Sequence, residues 1–204
     1  MTDIYQERYL KHRERKATMI NGPNKAHSVA SSKFPQQYLA AMAFRRSIRV
    51  FREEQVPKHI LSQIFRIALL APQSCNRQAI TLQVMPGSKA GQYLKGGQGW
   101  AVKAPHIVLL FADLAAYKAP GEIAFMPWLD AGVMLAALTY AATACGVASC
   151  IINPSLREEY ATEFQSRMNP RGRLFCGAMA LGYAAIDAPM PDKKSLEEFV
   201  EVWE

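Results

Sequence analysis

Four arginines fall within the eight positions from Arg45 to Arg52, in the stretch FRRSIRVFREE (44–54), with Ser47 among them. Guanidinium groups offer several fixed donors that match phosphate oxygens, and a serine hydroxyl adds a donor that rotates to suit. Gathered together, Arg45, Arg46, Ser47 and Arg49 could hold a phosphate-bearing small ligand. The same run could be a solvated basic surface, because charges this close repel unless water or an anion screens them. A second candidate is LLAPQSCNRQAI (69–80), where a helix stops at Pro72 and Gln73, Ser74, Asn76 and Gln78 follow in quick succession. Amide side chains both donate and accept, so such a turn can read a heterocycle edge or ribityl hydroxyls. Taken alone it is a polar loop.

The elements that must position these groups belong to one domain. The chain has 204 residues, half of them hydrophobic, enough to bury a substantial core. A net charge of +7 suits an anionic ligand, nucleic acid or a membrane surface and says nothing about fold. The four cysteines (Cys75, Cys145, Cys150, Cys176) form no C-x-x-C pair and no zinc spacing with the scattered His12, His27, His59 and His106. Reduced thiols, no bound metal and a cytoplasmic location are the expectation, since MTDIYQERYLKHRERK lacks the apolar core of a secretory signal. His106 falls in a strand-like run and reads as a packed or surface histidine.

Residues 1–36 mix basic side chains with turn signals and read as an extension, either lying over a partner subunit or partly disordered. The globular domain is expected over residues 37–204. Its first helix, QQYLAAMAFRRS, runs into the arginines. VPKHILSQIFRIALLAP forms a second, with Ile60, Ile64, Ile67 and Ala68 as its apolar stripe and Pro72 as its end. TLQVM (81–85), HIVLLFA (106–112), VASCII (147–152) and RLFCGAMALGY (173–183) read as strands, the second buried on both faces. SLREEYATEFQ reads as a further helix. The apolar helix 128–145, closed by Gly146, is short for a bilayer crossing and reads as a core or subunit-interface helix. These elements give an α+β domain with about four strands.

The order RRSIRVF, LLAPQSCNRQ, LDAGVMLAALTYAATACGVASC and ALGYAAIDAPMPDKKSLEEF resembles the nitroreductase-like family of FMN-dependent oxidoreductases, from about Gln37 to Glu204. The resemblance implies a homodimer of α+β subunits, a central mostly antiparallel sheet flanked by helices, and FMN in a cleft at the subunit interface. It assigns Arg45 to the phosphate, Arg46 and Ser47 to phosphate and ribityl, and Arg49 to the pyrimidine edge. Pro72, Gln73, Ser74 and Asn76 come from the other subunit, while Ser149, Cys150 and Ile151 line the flavin ring. A tail lysine closes on the phosphate; Lys193 or Lys194 matches it, with Lys193 preferred. Arg52 is left to solvent or to Glu53 and Glu54.

The implied activity passes electrons from NADH or NADPH, through flavin N5, to a small electron-poor acceptor by a ping-pong mechanism. No catalytic side chain is required for hydride transfer at N5. The sequence departs from the family pattern at Ala79-Ile80, where Pro-Trp is common, and at Ala184, where proline often follows Gly-Tyr. It is also short between strand and long helix (113–127), where relatives build the substrate cover and where Tyr117, Phe125 and Trp128 supply either aromatic walls or core packing. The rival readings are an FMN store or sensor without turnover and, from the charge alone, a nucleic-acid binder. The latter is not expected, because one phosphate pocket accounts for the basic residues of the core and no recognition motif appears.

Overall fold

Strand β2 (His106–Ala112) is the spine of the fold, and its alternation separates two cores. Val108, Leu110 and Ala112 point to one face and Ile107, Leu109 and Phe111 to the other, all six fully buried. This computed structural model describes residues 41–200. The extension expected over 1–36 lies outside the described residues, as does the start of the first helix, of which a turn at 41–44 is described.

Around β2 stand β1 (Ile80–Met85), β3 (Ala148–Ile152) and β4 (Leu174–Gly182), in the order β1-β2-β4-β3 and antiparallel throughout. A register shift between Leu110 and Phe111 faces Gly177, whose φ of 134° suits glycine. The four expected strands are present, each within a residue of its sequence reading.

Helices α1 (Lys58–Ala68) and α2 (Pro120–Ala144) cover the first face. Helix α1 buries Leu61, Ile64 and Ala68, whereas Ile67 is exposed, so the stripe is turned slightly from the expected one. The i, i+3, i+7 spacing of the three buried residues sets that face against α2 and the sheet. On the second face Tyr93, Leu94 and Phe164 of helix α3 (Ala161–Met168) pack on β2.

Helix α2 starts eight residues earlier than its apolar run suggests. Pro120 occupies its first turn, where a missing N–H costs nothing, and Glu122 accepts from the N–H groups of Lys118 (2.9 Å) and Ala119 (3.4 Å). Pro127 is accommodated inside. Thr139 and Thr143 donate back to the carbonyls of Leu135 (2.7 Å) and Thr139 (3.0 Å), so both hydroxyls are satisfied within the helix. Gly146, at φ 71°, ends it. By length and composition α2 could cross a bilayer. In the fold one side packs on the sheet, while Phe125, Trp128 and Leu129 remain exposed on another.

Candidate functional site

The arginine segment is stitched to the edge of the sheet. Ser47 bridges Ser149 of β3 in parallel, and the Ile48 N–H donates to the Ser149 carbonyl at 3.0 Å. Phe51 bridges Ala184, and the Arg52 N–H donates to the Tyr183 carbonyl at 2.9 Å. Arg52 is therefore not left to its neighbours Glu53 and Glu54: its Nε donates to the Ala184 carbonyl at 3.0 Å, because the segment runs beside β4's exit.

This stitching opens a cleft of about 180 Å³ lined by Arg45, Ser47, Gly132, Ala136, Thr139, Tyr140, Ser149, Cys150 and Ile151. Five of the residues expected at a ligand thus share one wall system. Ligand pockets usually measure ~300–1,000 Å³, so this cleft by itself is smaller than a flavin-sized molecule needs. A second cleft of about 380 Å³ shares Arg45 and adds Arg46, Phe44, Ile48, Val147, Ile186 and Asp187.

Arg45 is the charged residue that lines the first cleft; Arg46 lines the second, and Arg49 lines neither but lies close enough to act on the Cys150 thiol. The Arg45 Nη1 donates to Ser47 Oγ at 3.3 Å. Arg49 sits with its guanidinium 6.0 Å from the centroid of the Trp100 ring. Burial pushes the Cys150 thiol up, and the guanidiniums of Arg49 and Arg45 pull against that rise. Arg46 is folded back, its Nη1 donating to the carbonyls of Ala43 (2.6 Å) and Arg45 (2.7 Å), while its buried Nε has no acceptor. An orphaned cationic donor beside a cleft fits an absent anion.

The polar turn is held elsewhere. Ser74–Asn76 forms a 3-10 turn in which Cys75 (φ 48°) and Asn76 (φ 53°) are left-handed, as is Gln78 (φ 55°) just beyond. Ser74 donates its N–H (2.7 Å) and its Oγ–H (2.8 Å) to Asp130 Oδ1 in α2, and Tyr117 donates to Oδ2 at 2.9 Å. Burial and the neighbouring Asp130 carboxylate push the Tyr117 phenol well above its ordinary range, so it serves as a donor. Arg77 adds an ion pair to Glu122 at 2.7 Å. Tyr117 is therefore a buried structural residue, whereas Phe125 is 70% and Trp128 44% exposed.

Pro72, Gln73, Ser74 and Asn76 line neither cleft. Lys193 and Lys194 are exposed in the return segment before Leu196–Phe199, and they too line neither cleft. Gly132, Ala136, Thr139 and Tyr140 were not singled out by sequence. Their spacing is the missed signal: small or polar side chains at i, i+4, i+7 and i+8 form one helix face.

The Nitroreductase family model matches residues 42–94 and 81–183. An FMN reductase (NAD(P)H) from Bacillus subtilis strain 168 is 30% identical over 128 residues, 54% of this chain and 51% of that protein, so the chain aligns with about half of this curated relative. A nitroreductase family protein from Streptococcus pneumoniae TIGR4 superposes with a TM-score of 0.71 at 16% identity, covering 81% of this chain and all of that one. A Desulfovibrio desulfuricans protein solved in complex with FMN gives a TM-score of 0.69 at 20% identity, covering 82% of this chain and 96% of that one. Motif order, sheet topology and the family match agree: this chain belongs to the nitroreductase family.

Proposed function

We propose that this protein is an FMN-dependent oxidoreductase that takes electrons from NADH or NADPH and delivers them to an electron-poor small molecule. The acceptor class is a nitroaromatic, a quinone or one dedicated metabolite. The observation that carries the reading is the convergence of Arg45, Ser47, Ser149 and Cys150 on one cleft in a chain of this family. The relatives named above, one an FMN reductase and one solved with FMN, support the cofactor.

The residues fit the group. FMN carries a phosphate of nearly two negative charges, which Arg45 and a tail lysine, Lys193 or Lys194, would neutralise together. Arg46, with its orphaned Nε, and Ser47 would hold phosphate and ribityl. Arg49 would set a positive charge at the pyrimidine edge, which favours the anionic reduced ring. Ser149, Cys150 and Ile151 would line the ring, and Pro72, Gln73 and Asn76 would close it from the partner subunit. When bound, FMN supplies a ring that accepts and returns hydride at N5, so donor and acceptor use one site in turn and the kinetics are ping-pong. The chain's own residues bind, orient and exclude water, and none is assigned a proton.

A homodimer is part of this reading. Each protomer offers a small cleft and exposed large apolar side chains, Phe125, Leu129 and Leu70 among them. The purified protein is expected to be yellow, and anaerobic NADH or NADPH is expected to bleach it. A colourless protein that FMN does not reconstitute would sink the reading. A yellow protein that neither nicotinamide bleaches would instead be an FMN store or sensor.

A further inference from the structure

Asp130 and Glu122 are the charged residues of helix α2, and Asp130 is 2% exposed. A carboxylate removed from water is unfavourable unless donors surround it. Asp130 has three: the Ser74 N–H at 2.7 Å, the Ser74 Oγ–H at 2.8 Å and the Tyr117 phenol at 2.9 Å. It does not line the cleft and cannot touch a ligand there.

Two of the three donors belong to one residue of the polar turn. Ser74 thus faces the helix, and the residues after it, Cys75, Asn76 and Gln78, take left-handed backbone conformations that L side chains rarely adopt. Such a turn persists only where its surroundings over-determine it. Two residues beyond Asp130 the same helix begins to line the cleft, through Gly132, Ala136 and Thr139. One rigid element therefore carries both the anchor of the turn and a wall of the cleft.

We infer that Asp130 is a positioning residue for cofactor binding: by gripping Ser74 it fixes the turn that, on the dimer reading, presents Asn76 and Gln78 to the flavin of the partner subunit. The inference rests on the FMN reading above. It reassigns Ser74 from touching the cofactor to holding the turn, and leaves the amides as the groups that reach it.

The test is FMN affinity, by flavin fluorescence titration of the full chain stripped of cofactor, beside the melting temperature of each variant. Asp130→Ala and Ser74→Ala are each expected to weaken FMN binding by about tenfold or more, and the double variant by no more than Asp130→Ala alone, because the two act as one unit. Asp130→Asn is expected to restore most of the affinity, since its Oδ1 can still accept from Ser74. Tyr93→Phe, which removes a bond to Glu163 in the other core, is expected to lower the melting temperature and leave affinity within about twofold.

Losses of stability without loss of affinity in the Asp130 and Ser74 variants would make the role merely structural and overturn the inference. Additive losses in the double variant would overturn it as well. If Asp130→Ala does not fold, Ser74→Ala decides, because it leaves the Tyr117 bond and the backbone bond to Asp130 intact. Wild-type protein that binds no FMN overturns both this inference and the reading beneath it, an outcome separable from the others by the wild type alone.

Discussion

Ser47 and Ser149 lie side by side in a parallel bridge, locked by the hydrogen bond from the Ile48 N–H to the Ser149 carbonyl at 3.0 Å. Main-chain bonds, rather than side chains, therefore set where Arg45 stands. Truncating the arginine should remove its charge and leave the backbone in place.

Arg45→Ala is accordingly expected to weaken FMN binding roughly 10- to 100-fold, the range of a charge-assisted hydrogen bond, with little change in melting temperature. Lys193→Ala, on an exposed segment, should have a smaller effect of the same sign. Titration with FMN measures both. Undiminished retention in the two variants would put the phosphate elsewhere.

Gly182 closes β4 where the arginine segment passes. A Cβ built there would meet Pro105 Cδ at 2.8 Å and Phe51 Cδ1 at 2.9 Å. Gly182→Ala should cost about 1–3 kcal/mol of stability, as overpacking does, and should shift Phe51 and the arginines with it. Chemical denaturation and FMN titration on the same sample would report both effects; a variant normal in each would mean the segment yields freely.

The Val56 N–H donates to His106 Nε2 at 3.2 Å, so the folded state needs that nitrogen unprotonated. Burial holds the His106 pKa below its ordinary value of 6.5. The unfolded chain thus takes up this proton first as pH falls. The stability contribution is fully present above about 6.5 and is lost as pH drops toward the lower folded value. His106→Gln should flatten the stability profile below about pH 6.5, measured by denaturant titration. An unchanged slope would locate the dependence in another group.

Leu129 is 56% exposed and Leu70 is 78% exposed. On the dimer reading, Leu129→Lys or Leu70→Glu buries a charge at the interface and should shift the protein toward monomer in sedimentation equilibrium, with weaker FMN binding alongside. Wild-type protein that is monomeric and still retains FMN would remove the interface from the cofactor site.

The strands were legible because their apolar runs match the pleat: β2 occupies His106–Ala112 as its sequence predicts. The start of α2 was not, because Pro127 reads locally as a boundary, whereas in the fold it is a buried residue inside the helix. The arginines were visible as a cluster, yet nothing local distinguishes Arg45 in the cleft from Arg52 on the Ala184 carbonyl. That distinction comes from the long-range bridge to Ser149. Asp130 could not be read as an anchor from sequence, since its partners are 13 and 56 residues away.

The three left-handed residues of the polar turn have a dynamic consequence. Each such non-glycine residue costs about 1–2 kcal/mol, and the turn's own short bonds, Asn76 N–H to the Gln73 carbonyl at 2.8 Å and Arg77 N–H to the Ser74 carbonyl at 3.0 Å, lie outside the sheet. Outside the sheet, the turn therefore depends on Ser74's bonds to Asp130 and on the Arg77–Glu122 pair to hold its shape. Its amide hydrogens should exchange with solvent well before those of the central strands.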